Sequence, residues 1–114
     1  MHEPSRPPVV VLVTGPDVAT LTSIAERLVG EGLAACVNVV PGVRSVYSWN
    51  DTVENNQEAL GIIKTTRSAL PALESRVLAL HPYDVPEFLV IPVDSGNSTY
   101  VDWITRSVSV EADS

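Results

Sequence analysis

At 114 residues the chain has room for one domain. Hydrophobic residues make up 45% and charged residues 18%, enough apolar material for a packed core and too much for a disordered chain. Seven Lys and Arg stand against 14 Asp and Glu, a formal net charge of −7, which repels phosphate backbones and anionic lipid and so excludes nucleic acid and membrane as expected partners.

Met1 to Pro8 is polar and holds three prolines. It has no apolar stretch of the secretory kind, and a cytoplasmic location is expected. Pro4, Pro7 and Pro8 remove backbone donors, so residues 1–8 read as a short disordered arm ahead of a single domain over 9–114. Val9 to Thr14 is an apolar β-branched run, the pattern of a buried strand. Gly15-Pro16-Asp17 breaks it, and Asp17 is placed to cap a helix whose apolar face is Val18, Leu21, Ala25 and Leu28. Gly30 and Gly32 end that helix. A second strand starts at Leu33, bends or bulges at Pro41-Gly42 and resumes through Val43 to Trp49. Asn50-Asp51-Thr52 is the turn. The return strand has a polar arm, Val53 to Gln57, and a core half, Glu58 to Lys64. Ser68 is the expected cap of a second helix, with Pro71 in its first turn and Leu70, Leu73, Val77 and Leu80 on one face. His81-Pro82 stops it. Phe88 to Val93 is a fourth strand, marked as an edge by Pro92. Asn97 or Ser98 caps a last helix through Tyr100, Val101 and Ile104, with Tyr100 and Trp103 expected to pack on the sheet.

This order is α+β: a ferredoxin-like βαββαβ sandwich with a C-terminal helix. A strand from Leu33 to Trp49 would span about 55 Å at roughly 3.3 Å per residue, whereas a compact domain of this size is about 35 Å across. The hairpin therefore overshoots its own domain by about 20 Å. An isolated two-stranded ribbon is marginal in water, so pairing with another subunit is expected, with Tyr47, Trp49 and Glu54 as the interface residues.

The residues with chemical potential are few. Cys36 is the sole thiol, which rules out an internal disulfide, and its apolar strand neighbours make it a small hydrophobe. His2, His81 and Cys36 are the only imidazole or thiol groups, so a soft-metal site must be small, shared between chains or absent. His81 is a metal candidate with Asp84 and Glu87 as oxygen donors; at a helix C-terminus it equally suits hydrogen bonding to the last carbonyls. Glu58 and Lys64 lie six apart on one strand, on one sheet face about 20 Å from each other. Together with Tyr83 they are candidates for a cleft between subunits, while Lys64 is also suited to an inter-subunit ion pair. An acylphosphatase would need an arginine where Gly15-Pro16-Asp17 stands, and an RNA-recognition sheet would need aromatics absent from Val9 to Thr14. No enzyme activity is expected.

From Val9 to about Ile104 the sequence resembles the CutA divalent-cation tolerance family. The matching stretches are Ala34-Ala-Cys-Val-Asn38 with Pro41-Gly42, Tyr47-Ser-Trp49 followed by Glu54 and Glu58, Ile62-Ile-Lys-Thr65, and His81-Pro-Tyr-Asp-Val-Pro-Glu87, with Tyr100 and Trp103 behind. The resemblance implies a ferredoxin-like homotrimer whose hairpins wrap neighbouring subunits, an architecture related to PII signalling proteins, and an association with copper and other divalent cations. Two departures from the family pattern stand out. Asp51-Thr52 replaces a Gly-Lys turn, and Val13 and Leu80 stand where copper-binding members can carry Cys and a second His. Two functions are expected in turn: divalent-metal (copper) tolerance through weak or inter-subunit metal binding, or a PII-like regulatory module with a small ligand between subunits.

Overall fold

The computed structural model of the chain describes residues 7–109. Four strands, β1 (Pro8–Gly15), β2 (Cys36–Trp49), β3 (Thr52–Thr66) and β4 (Leu89–Pro92), form one antiparallel sheet in the order β2-β3-β1-β4. Helices α1 (Val18–Gly30) and α2 (Leu70–Leu80) cover one face, and α3 (Ser98–Ser107) follows β4. The element order and sheet order are those of the expected ferredoxin-like sandwich. Among the described residues no helix is long and apolar enough to cross a membrane.

Alternation along β1 explains the layering. Val9, Val11 and Val13 are buried against the helices with Leu21, Ile24, Leu28, Ile63, Leu73 and Val77. Val10, Leu12, Leu60 and Ile62 point to the opposite face, away from α1 and α2, and are only half-buried. Beside them Leu89 and Ile91 on β4 are exposed. Both faces of this sheet are therefore apolar, and one is uncovered in the single chain.

The proposed arm falls mostly on residues 1–6, outside the described residues. Its last two prolines belong to the sheet: Pro8 opens β1 opposite Thr66, and the Arg67 N–H donates to the Pro7 carbonyl at 2.9 Å. Proline keeps its acceptor and suits the first position of a strand. Asp17 caps α1, its carboxylate accepting from the Thr20 N–H at 2.7 Å, and that bond holds the carboxyl below its usual range. The buried face of α1 is Leu21, Ile24, Ala25 and Leu28, with Val18 exposed instead of Ile24. Strand β2 starts three residues later than Leu33. The Leu33 and Ala34 N–H groups are still donating to the Leu28 carbonyl beyond the left-handed Gly32 (φ 74°), so these residues finish the helix end.

Helix α2 begins differently from expectation. A 3-10 turn, Arg67–Ala69, precedes it and Ala69 occupies the cap position, while the Ser68 and Thr66 hydroxyls lie 3.0 Å apart. At α3 the cap is Asn97, which accepts from the Tyr100 N–H at 3.1 Å. Ile104 and Val108 bury against Ala35 and Ala69. Tyr100 and Trp103 do not pack on the sheet: both are exposed and lean on each other with ring centroids 5.4 Å apart.

The hairpin projects as its length demands. Overall extents are 51 × 26 × 24 Å, one axis about twice the others. Register shifts between Val40 and Val43, at Pro41 and the left-handed Gly42 (φ 72°), the bulge expected there. Beyond it Val46, Tyr47, Trp49 and Val53 are exposed. Asn50 and Asp51 both have positive φ, at 52° and 62°, as a two-residue hairpin turn of the I′ kind requires.

Candidate functional site

The base of the hairpin, the end of β1 and the loop after α2 enclose a cleft of about 1000 Å³. Its walls include Tyr47 and Trp49 from β2, Asn56, Gln57 and Glu58 from β3, and Tyr83, Asp84 and Glu87 from the loop. Four of the residues singled out in the sequence therefore meet here: Glu58, Tyr83, Asp84 and Glu87. Two expected interface residues, Tyr47 and Trp49, line the same space, while Glu54 lies one turn of the strand pleat further out, opposite Tyr47.

Each side chain is aimed by its element. Glu58 sits opposite Val43, where β2 re-enters register after the bulge. The Tyr83 hydroxyl donates to Glu58 Oε2 at 2.6 Å, closing a 25-residue separation. Burial, and then this bond, push the Tyr83 phenol up from its ordinary value. Asn56 donates through Nδ2 to the Tyr47 hydroxyl at 2.7 Å. Burial first, then the Glu58 carboxylate, push Glu87 up.

That shift has a direction in stability. A carboxyl that holds its proton more tightly in the folded chain contributes favourably below the ordinary glutamate range, about pH 4.3. The contribution is lost as pH rises through the raised value. Glu87→Gln is therefore expected to be more stable than the parent at neutral pH, by a small margin that vanishes below about pH 4. Urea unfolding at both pH values checks this, and a parent equal to or more stable than the variant at neutral pH would contradict it.

His81 and Lys64 are placed elsewhere. His81 is buried, 7% exposed, and occupies the C-cap of α2. Its Nε2 lies 2.7 Å from the Thr14 carbonyl oxygen, and its Nδ1 accepts from the Tyr83 N–H at 3.1 Å. An Nδ1 that accepts leaves the proton on Nε2, so Nε2 donates to Thr14 and the ring is neutral. Both nitrogens are thereby engaged, and a metal would have to displace one of these bonds. Lys64 shares a sheet face with Glu58 but stands at the far end of β3, opposite Cys36 and Val10, where its Nζ donates to the Asn38 side-chain oxygen. Cys36 is half-buried and free. Among the described residues no three His, Cys, Asp or Glu side chains stand close enough together to form a metal-holding group.

The cleft residues that sequence reasoning missed are Asn56 and Gln57, read there only as a polar strand arm, together with Thr14 and Pro16 at the end of β1. A run of Asn-Asn-Gln leading into the apolar half of the strand, Ala59 to Ile63, was the available signal.

A ferredoxin-like sandwich with an overlong β2–β3 hairpin and an acidic, tyrosine-bearing cleft at its base defines the class. The family model described as CutA1 divalent ion tolerance protein matches residues 9–107, and the chain belongs to that family. The "Divalent-cation tolerance protein CutA" of Thermus thermophilus is 50% identical over 98 residues, covering 86% of this chain and 95% of the relative. "Protein CutA, chloroplastic" of Arabidopsis thaliana is 44% identical over 109 residues, covering 94% of this chain, which spans only 60% of that longer protein. The crystal structure of CutA1 from Oryza sativa superposes with a TM-score of 0.89 at 43% identity, covering 94% of this chain and 98% of that one.

Proposed function

We propose that this protein works as a homotrimer in divalent-cation tolerance, without catalysing a reaction, by holding a divalent cation in the cleft at the Glu58 and Glu87 carboxylates. The observation that carries the reading is that Glu58, Asp84 and Glu87 line one cleft; burial, and then the Glu58 charge, push the Glu87 carboxyl up, a cost that a bound cation would relieve. With both His81 nitrogens engaged in the fold, the donors are oxygen. Copper(II) still heads the affinity series of the divalent first-row metals for such sites. Trimer formation rests on the exposed apolar hairpin and the uncovered sheet face, and the cytoplasmic location on the sequence alone.

Calorimetric titration of copper(II), with magnesium for comparison, tests the site. The background is His2→Ala, so that the amino terminus and its imidazole do not chelate copper by themselves. Stoichiometric binding weakened about tenfold or more by either Glu58→Gln or Glu87→Gln is the expected result. Binding unchanged in both variants, or none above the millimolar range, would overturn it.

A second reading, a PII-like module taking a small ligand in the same cleft, is favoured by the size of about 1000 Å³, which is far larger than an ion needs and at the upper end for small-molecule pockets. Its lining holds three carboxylates and no Lys, Arg or His, so that ligand would be neutral or cationic. A thermal-shift screen distinguishes the two, since a ligand at 100 times its dissociation constant stabilises by about 2.7 kcal/mol.

A further inference from the structure

The loop from Pro82 to Phe88 forms one wall of the cleft, and His81 fastens its first residues to the sheet. The fastening has a specific chemistry. Nε2–H donates to the Thr14 carbonyl on β1, and Nδ1 accepts the Tyr83 N–H. The Tyr83 ring lies against the imidazole with centroids 4.7 Å apart, and its hydroxyl reaches Glu58. Only the neutral ring can make this pair of bonds, because an imidazolium has two donors and no acceptor. A proton on Nδ1 would meet the Tyr83 N–H head-on, donor against donor, in a site that is 7% exposed and gives the ring little room to turn. The alternative, a flipped ring, would aim the surviving conflict at the same amide.

Tyr83 is in direct contact with the ring, and Glu58 on β3, Tyr47 on β2 and Asp17 at the start of α1 all act electrostatically on that tyrosine. Asp84 and Glu87 stand further along the loop and line the cleft. Arg27 on α1 lines a separate groove that reaches Leu80.

We propose that His81 is a proton-operated latch on the cleft: the neutral ring locks residues 81–83 against β1, and protonation of Nδ1 releases the Tyr83 backbone, frees Glu58 from the tyrosine and opens the loop wall. The latch does not depend on what the cleft binds, because it is read in protein free of added metal.

The test follows two signals in the same intact, metal-free protein between about pH 8 and about pH 5, the span in which histidines change charge. Side-chain nitrogen NMR reports the protonation of His81. Amide hydrogen exchange, corrected for its intrinsic pH dependence, reports the protection of Tyr83, with Ile63 in the core of β3 as reference. Protection of Tyr83 is expected to fall about tenfold or more, with the midpoint of His81 titration, while Ile63 holds. The same midpoint is expected in Glu87→Gln. Constant Tyr83 protection while His81 titrates would overturn the latch. So would an imidazole that stays neutral until Ile63 also loses protection, or a Tyr83 transition that shifts with Glu87→Gln and leaves the His81 midpoint behind.

Discussion

Trp49→Ala is expected to weaken self-association by about 2 kcal/mol or more per interface, roughly thirtyfold in dissociation constant, while leaving the folding of the isolated core within about 0.5 kcal/mol. The asymmetry follows from where Trp49 sits. It is 57% exposed on the projecting hairpin, beyond the bulge and away from the buried cluster under α1 and α2, so the single chain loses little when the indole goes. In the proposed trimer a large aromatic on a ribbon that cannot stand alone in water would find its burial against a neighbour, and aromatic anchors of that kind dominate interface energetics. Analytical ultracentrifugation over a dilution series measures the first quantity. Melting at fixed and at diluted protein concentration separates it from the second, since an assembled protein melts in a concentration-dependent way. Unchanged association after this substitution would remove the hairpin from the interface. Because Trp49 also lines the cleft, the same variant is expected to disturb binding there.

Leu73→Ala is expected to cost about 3 kcal/mol, within the 2–5 kcal/mol usual for emptying a core leucine site and a large share of a typical domain's total. Leu73 is fully buried on the inner face of α2 with Val77, against Val9, Val11 and Ile63 of the sheet, and it holds the helix whose end delivers His81 and the cleft loop. Denaturant unfolding at one fixed protein concentration should show a lower midpoint with little change in slope. A loss below about 1 kcal/mol would mean that α2 is seated by something other than this contact.

The fold was legible where the signal is local. β-branched runs, helix-breaking Gly and Pro, and three–four spacing gave the four strands, the three α-helices and their order, though not the 3-10 turn before α2, and the bulge was visible in Pro41-Gly42. Boundaries suffered where one backbone group serves two elements, as at Leu33 and Ala34, whose amides still answer to α1. Val18 fits the periodicity as well as Ile24 does, and only the seating of the helix on the sheet decides between them. Tyr100 and Trp103 are aromatic at helical spacing, which says that they share a face and not what the face meets. The site was half legible. Glu58, Tyr83 and Glu87 converge as chemistry suggested, but Lys64 does not, because sharing a strand face says nothing about closing the distance of about 20 Å along it. The partner of His81, the Thr14 carbonyl, lies 67 residues away in sequence, and backbone acceptors carry no signature in the residue letter.

The extra residue at Pro41-Gly42 sets the parity of everything beyond it. Before it, the even-numbered residues of β2, Cys36, Asn38 and Val40, stand opposite even-numbered residues of β3; after it, Val43, Ser45, Tyr47 and Trp49 do. The rings of Tyr47 and Trp49 thereby come to lie on the same side as Glu58. Deleting one residue there would rotate the outer hairpin by half a turn, offering Val46 and Ser48 in their place. Length at this joint is therefore under tighter constraint than composition, and a chain that kept every residue of the cleft but lost that single insertion would carry the right letters facing the wrong way.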